Sequence, residues 1–271
     1  MTKVKNLVVY VFAITAVIGF SSLALAHEPL FGLGPHTVGQ YSWALESELE
    51  RGQEGWANHY EPIYGITPDL AVTAALPFVL SQEGGKSGLG DFVLRGKYRF
   101  IRLDFLKGSD AFALHWGMKF PTGNRRELRG SGTWDYFVGV SFGHESRKHY
   151  AFADFRYQIN GSVEDLKRGN FLNLDAAYGI RPWQLEYLQP DLVLLVEMLG
   201  EVENKNSLNG IEDPNSGGSM ISLAPGFLFS YRNFMVKGGV KFSLVQNLNG
   251  IQENPVPEFV FAVEFHMLPF K

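Results

Sequence analysis

Hydrophobic and polar residues alternate along most of this chain with a period of two, which is the repeat of a β-strand. Over residues 91–100, one face carries only aromatic, aliphatic and glycine residues, whereas four of the five residues on the other face are charged. A similar alternation returns over residues 111–120 and 134–143. These segments therefore predict strands that separate an apolar environment from a polar one.

Twelve segments follow this pattern, and most are close to the length of about 9–11 residues that crosses a bilayer at a tilt. They lie near residues 36–50, 57–66, 70–80, 91–102, 110–121, 133–144, 149–160, 170–181, 189–200, 219–231, 233–245 and 257–267. Strand ends read from sequence shift by a few residues, and ten or fourteen strands remain alternatives.

The connections between the segments alternate between short and long, beginning with a long one. The short connections are 67–69, 103–109, 145–148, 182–187 and 232–233. The long ones are 51–56, 81–90, 122–132, 161–169, 201–218 and 246–256. Short periplasmic turns alternating with long extracellular loops are typical of outer-membrane barrels with an even number of strands.

The N-terminus has the pattern of a cleaved signal peptide. Lys3 and Lys5 precede an apolar run over residues 7–20, and small residues lead to Ala26. A membrane anchor, the alternative, needs about 20 apolar residues. We therefore expect a signal peptide over residues 1–26, a periplasmic N-terminal segment over 27–35 and a barrel over 36–271 in the outer membrane of a Gram-negative bacterium.

A soluble β-sandwich or lipocalin-like barrel also alternates, but its strands are usually shorter. An aromatic girdle at the predicted periplasmic strand ends favours a membrane barrel. Its residues are Tyr41, Trp43, Tyr98, Phe100, Tyr178, Tyr231 and Phe234. We predict an all-β fold, a transmembrane antiparallel up-and-down β-barrel of about twelve strands.

Composition agrees with this fold and excludes several functions. The mean hydropathy of −0.05 averages an apolar exterior with a charged lumen and polar loops. The absence of cysteine excludes disulfides, thiolate metal sites and cysteine nucleophiles. A net charge of −4 with no basic run gives no signature of nucleic-acid binding.

The polar faces of the predicted strands bring charges of both signs into the lumen. These residues are Glu46, Glu48, Asp91, Arg95, Lys97, Arg99, His115, Lys119, Asp135, Asp154, Arg156, Asp175, Arg181, Glu197, Lys237, Lys241, Glu264 and His266. One interpretation is a set of ion pairs that makes the barrel rigid. The other is a solute path with an apolar wall formed by Val93, Phe137 and Leu195, in which four basic residues attract anionic or phenolic groups. Those basic residues are Arg95, Lys97, Arg99 and Lys119.

Metal binding and catalysis have weaker support in the sequence. An amino-terminal His27 could chelate copper together with His36, but a flexible periplasmic lead-in is the favoured interpretation of this segment. Ser141 and His144 fall on opposite faces of one strand, and no G-x-S-x-G motif is present. We predict no cofactor and no catalytic residue. A structural barrel and a lipid-modifying enzyme are the alternatives.

Short glycine-rich motifs carry a resemblance to a known family over roughly residues 60–270. They lie at residues 65–70, 87–91 running into 94–99, 120–124, 130–133 and 223–226. The chain resembles the outer-membrane family named after the MetA pathway of phenol degradation. This resemblance implies a barrel that carries small, often aromatic, molecules across the outer membrane.

The predicted partners are a small-molecule solute, outer-membrane lipid and lipopolysaccharide, with no nucleic acid. Arg125, Arg126 and Arg129 lie in one predicted extracellular loop, where they fit lipopolysaccharide phosphates. The sequence leaves the oligomeric state open.

Overall fold

A computed structural model of the chain describes residues 28–183 and 189–267. Twelve long strands run antiparallel in chain order. They are β1 (Trp43–Gly52), β2 (Gly55–Gly65), β3 (Leu70–Gln82), β4 (Phe92–Phe105), β5 (Gly108–Phe120), β6 (Asp135–Ser146), β7 (His149–Ile159), β8 (Phe171–Ile180), β9 (Asp191–Glu203), β10 (Gly218–Tyr231), β11 (Phe234–Leu248) and β12 (Glu258–Met267). Among the described residues, no helix is long and apolar enough to cross a membrane.

The twelve strands form a closed barrel, because β12 pairs with β1 over nine residue pairs that include Glu264 and Glu46. Closure gives every strand two neighbours, so the sheet has no free edge across the membrane. The predicted strand count and the alternation of the strands are confirmed. The first strand begins at Trp43 rather than near residue 36.

Short turns lie at one end of the barrel, called here the short-turn end, and long loops at the other, the long-loop end. Turns of two residues at 106–107, 147–148 and 232–233 alternate with long loops that include 121–134 and 204–217. Two connections differ from the prediction. The link between β1 and β2 is a two-residue turn at 53–54, and the connection 181–190 is longer than expected for the short-turn end.

The apolar face of the strands points outward, and the charged face points into the lumen. On β4, the outward Tyr98 is 47% exposed, whereas the inward Arg99 is 7% exposed. All seven residues of the predicted aromatic girdle are exposed large hydrophobic residues. A barrel with this exterior suits a lipid environment, in which charged side chains on the outer face would be costly.

The segment at residues 28–38, predicted in part as a free periplasmic lead-in, instead lies inside the barrel. It enters from the short-turn end, where residues 41 and 42 form backbone hydrogen bonds with Gly65 at the end of β2. Pro35 and Leu30 are buried, and Leu30 packs on lumen side chains of β7–β11. The prediction was wrong because a Pro- and Gly-rich segment without periodicity shows no burial in its own sequence.

Candidate functional site in the barrel lumen

All eighteen charged residues predicted for the lumen lie on its side of the wall or at its two ends. Twelve of them are buried, including Glu197 at 1% and His115 and Asp135 at 2% exposure. Charges buried this deeply need partners. The ion pairs therefore decide which of these side chains could meet a solute.

The four basic residues predicted to attract a solute each have a carboxylate partner. Arg95 pairs with Glu61, and Arg99 pairs with Asp69 at 2.8 Å. Lys119 pairs with Asp135 and lies 3.9 Å from Asp91, while Lys97 pairs with Glu28 of the N-terminal segment. These contacts support the interpretation of ion pairs that brace the lumen wall.

Further ion pairs, within one strand or between strands at most two apart in the sheet, continue this network around the barrel. Lys237 lies 3.0 Å from Glu46, Lys241 lies 2.5 Å from Glu258, and His266 lies 2.8 Å from Glu264. Arg156 sits between two carboxylates, at 3.8 Å from Asp154 and 3.4 Å from Asp175.

Some predicted lumen residues fasten loops instead of facing the central space. Asp91 accepts hydrogen bonds from the backbone of Gly123 at 2.9 Å and of Ser131 at 2.7 Å, which fixes the loop 121–134. Arg181 lies at the short-turn end between Glu145 at 2.5 Å and Asp191 at 2.8 Å. Burial opposes the charge of Arg181, but the two carboxylates outweigh this effect and raise its pKa.

Sequence reasoning missed several acidic partners of these bases. Glu61 could have been found, because it shares the inward parity of His59 on β2. Asp69 lies in a turn and Glu28 precedes the barrel, so neither carries a periodic signal.

One carboxylate accepts three backbone hydrogen bonds from the N-terminal segment in the lumen. Glu197 accepts backbone hydrogen bonds from Leu30 at 2.5 Å, from Phe31 at 3.1 Å and from Gly32 at 3.2 Å. The Leu30 side chain fits a notch formed by the paired glycines Gly226 and Gly239 on β10 and β11. A Cβ atom at Gly239 would lie 2.8 Å from Leu30 Cδ1, so this fit requires glycine, which has no side chain, at that position.

A cavity of about 200 Å³ remains between this segment and the wall formed by β1–β7, β11 and β12. Its lining combines apolar groups, including Phe31 and Phe137, with His115, Lys97 and several glutamates. Of the three residues predicted for an apolar wall, Phe137 lines this cavity, whereas Val93 and Leu195 do not.

The Phe137 ring lies against Gly117, its cross-strand partner on β5. A Cβ atom at Gly117 would be 2.5 Å from the Phe137 Cζ atom, closer than van der Waals contact allows. The glycine therefore lets the ring lie flat on the wall and keeps the cavity open.

A wider space of about 820 Å³ opens at the long-loop end. It has five glutamates in its lining and no Lys or Arg among the described residues. The glutamates are Glu54, Glu83, Glu201, Glu203 and Glu253. These carboxylates give the mouth of the barrel a negative potential, and the space is called here the acidic vestibule.

His115 and Ser141 form a contact that the sequence did not predict, with Nε2 and Oγ 2.5 Å apart. Both face the lumen from adjacent strands, since 115 and 141 share the inward parity of β5 and β6. Within the described residues, no carboxylate hydrogen-bonds the other ring nitrogen of His115. A nucleophilic serine generally needs such an orienting group on its base.

The structure does not test the predicted copper site, because His27 lies outside the described residues. His36 is within the lumen, with Nε2 3.5 Å from Glu145 and its ring edge-on to Phe152 at 5.4 Å. Copper chelation by His27 and His36 stays a prediction.

The loop arginines predicted to contact lipopolysaccharide lie at the long-loop end. Arg125 lies 3.3 Å from Glu164, and Arg129 pairs with Glu127. Hydrogen bonds from Arg129 and Lys86 lower the pKa of the Glu127 carboxyl. Contact with lipopolysaccharide stays a prediction.

Residues 26–254 match the sequence profile of the family described as "Putative MetA-pathway of phenol degradation". The chain belongs to this family. The match confirms the resemblance read from the glycine-rich motifs and extends it to the N-terminal segment inside the lumen. A search of curated protein sequences gives no match.

Among solved structures, the chain is similar to an outer membrane channel from Pseudomonas putida F1, with a TM-score of 0.67 and 11% identity. That alignment covers 86% of this chain and 98% of the channel, and it shows a shared barrel fold. LpxR from Salmonella typhimurium has a TM-score of 0.45 at 8% identity, covering 83% of this chain and 99% of that one. OmpT, an outer membrane protein of Vibrio cholerae, has 0.38 at 7%, covering 83% and 98%.

Proposed function

We propose that this family member carries small, phenol-like aromatic molecules across the outer membrane and binds them in the cavity beside its N-terminal segment. The observation that carries the proposal is the cavity of about 200 Å³ inside a closed barrel. A cavity of about 150 Å³ is large enough for benzene. The space therefore suits a molecule with one aromatic ring.

The chemistry of the lining supports the same solute class. Phe31 and Phe137 offer apolar surface to a ring, and His115 and Lys97 offer polar groups for a hydroxyl or carboxylate. Because Lys97 is already paired with Glu28, we expect an uncharged or singly charged solute rather than a strongly anionic one. The name of the family, which refers to phenol degradation, agrees with this class.

Uptake of 4-hydroxybenzoate into proteoliposomes tests the proposal, because this anion crosses lipid slowly without a protein. We expect saturable uptake that falls severalfold in Phe137→Ala. Tyr136→Ala is the matched control, since Tyr136 is the adjacent aromatic on the lipid side, 48% exposed. Uptake equal to that of protein-free liposomes would overturn the proposal and leave a structural barrel as the better interpretation.

Two further parts of the proposal have separate tests. Cleavage after Ala26 should appear in N-terminal sequencing of protein purified from outer membranes.

A lipid-modifying enzyme, the alternative, would release fatty acid from phospholipid vesicles, and Ser141→Ala would abolish that activity.

A further inference from the structure

Three side chains on β1 and β2 converge inside the lumen and are not explained by solute passage. Glu48 and His59 are direct cross-strand partners, and Glu50 is the next inward residue on β1. One ligand atom from each lies within 4.8 Å of the others. Glu50 Oε2 is 3.0 Å from His59 Nε2.

We propose that Glu48, Glu50 and His59 form a binding site for a divalent transition-metal ion such as Zn²⁺. Zinc binds histidine nitrogen and carboxylate oxygen at about 2.0–2.2 Å, commonly with three protein ligands and an open position. Small side-chain rotations bring atoms separated by 4.8 Å or less to these distances from one ion. The inference does not depend on the proposed solute.

The donor atoms are not committed to other strong partners. His59 Nε2 has no solvent exposure and no hydrogen bond of normal geometry, although Glu50 is adjacent. Among the described residues, Glu48 has no ion pair within 4.0 Å. The nearest lysines are engaged elsewhere, Lys237 with Glu46 and Lys241 with Glu258.

The position of the cluster allows an ion to reach it from the long-loop end. Glu48 and Glu50 lie on the half of β1 that leads to the turn at 53–54, and Glu54 of this turn lines the acidic vestibule. Glu48 also lines the inner cavity, so the cluster lies between the vestibule and that cavity. The side chains of His59 and Glu50 remain 27% and 35% exposed, which leaves room for an ion and its water.

Zinc titration of the full-length, metal-free barrel, refolded in detergent and followed by calorimetry, tests the site. We expect one saturable ion per chain, with affinity reduced by about 100-fold in His59→Gln and in Glu48→Gln, since even indirect changes at metal sites cost 10–100-fold. The matched control is His144→Gln, because His144 lies 2.6 Å from Asp110 in a histidine–carboxylate pair without a third ligand.

The control should bind zinc like the wild type. An absence of saturable binding, or unchanged affinity in either His59→Gln or Glu48→Gln, would overturn the site. Folding of each variant is checked by circular dichroism and trypsin resistance. If Glu48→Gln fails to fold, Glu48→Asp is titrated with Zn²⁺ in its place. An affinity of Glu48→Asp equal to that of the wild type would again overturn the site.

Discussion

The carboxylate of Glu197 should decide whether the N-terminal segment stays in the lumen. It accepts three backbone hydrogen bonds from residues 30–32, so Glu197→Ala removes every one of them at once. The segment is also held by the burial of Leu30, by the ion pair between Glu28 and Lys97, and by the contact of His36 with Glu145. We expect the segment of this variant to spend far more time outside the lumen.

The size of the effect follows from the hydrogen bonds lost. A hydrogen bond to a charged group contributes about 1.5–3 kcal/mol, and water entering the lumen replaces part of this. Taking about 1 kcal/mol for each of the three bonds gives about 3 kcal/mol in total. Since about 1.4 kcal/mol is a factor of ten, the equilibrium should shift by about 100-fold toward the released segment.

Single-channel recording in planar bilayers measures this shift, because a lumen without the segment conducts more ions. Glu197→Ala should show frequent high-conductance openings that are rare in the wild type. Chymotrypsin added at the short-turn end should also cleave the released segment, which carries Leu30, Phe31 and Leu33. Glu201→Ala is the matched control, since it removes the same charge from the lumen side of β9 in the vestibule.

Two results would refute this reasoning. Wild-type conductance in a folded Glu197→Ala barrel would mean that the three hydrogen bonds do not hold the segment. An equal rise in Glu201→Ala would mean that lumen charge, and not release of the segment, controls the current.

Three other substitutions test the packing of the lumen. Gly239→Ala should raise conductance, because the added Cβ atom displaces Leu30. Adding Leu30→Ala should lower the conductance again. A double variant that keeps the raised conductance would contradict the fit of Leu30 between the two glycines. Gly117→Ala should push the Phe137 ring into the cavity and reduce 4-hydroxybenzoate uptake at unchanged stability. Arg181→Gln should lower the free energy of unfolding by about 3 kcal/mol in urea titrations, because it removes the guanidinium that pairs with Glu145 and Asp191. A loss below about 0.5 kcal/mol would mean that these ion pairs do not stabilise the barrel.

The barrel could be predicted from sequence because its two surfaces meet opposite environments along every strand. Alternation of outward Tyr98 with inward Lys97 and Arg99 is a local signal, and strand pairing preserves it. The same parity predicts which charged side chains of the strands point inward, such as the buried Glu197 and His115. It also placed Ser141 and His144 on opposite faces, but it gave no reason to pair Ser141 with His115 on the neighbouring strand.

The contents of the lumen could not be predicted in this way, because they depend on contacts between distant parts of the chain. Glu197 and Leu30 meet only after the barrel closes around the segment. The notch for Leu30 requires Gly226 and Gly239 to be opposite each other, which depends on the register of β10 and β11. A slip of β11 by one residue would move Gly239 to the outer face and leave Gly226 without its partner.

The ion pairs also show how the position of the segment affects the electrostatics of the cavity. Arg95, Arg99 and Lys119 are paired with residues of the strands and their turns, so they stay neutralised wherever the segment lies. Lys97 differs, because its partner Glu28 belongs to the segment. Release of the segment therefore leaves a single unpaired cation at the cavity. Glu28→Gln removes the partner of Lys97 without removing the three hydrogen bonds that Glu197 accepts from the segment. Affinity for a phenolic anion should accordingly rise in Glu28→Gln and return to its wild-type value when Lys97→Met is added.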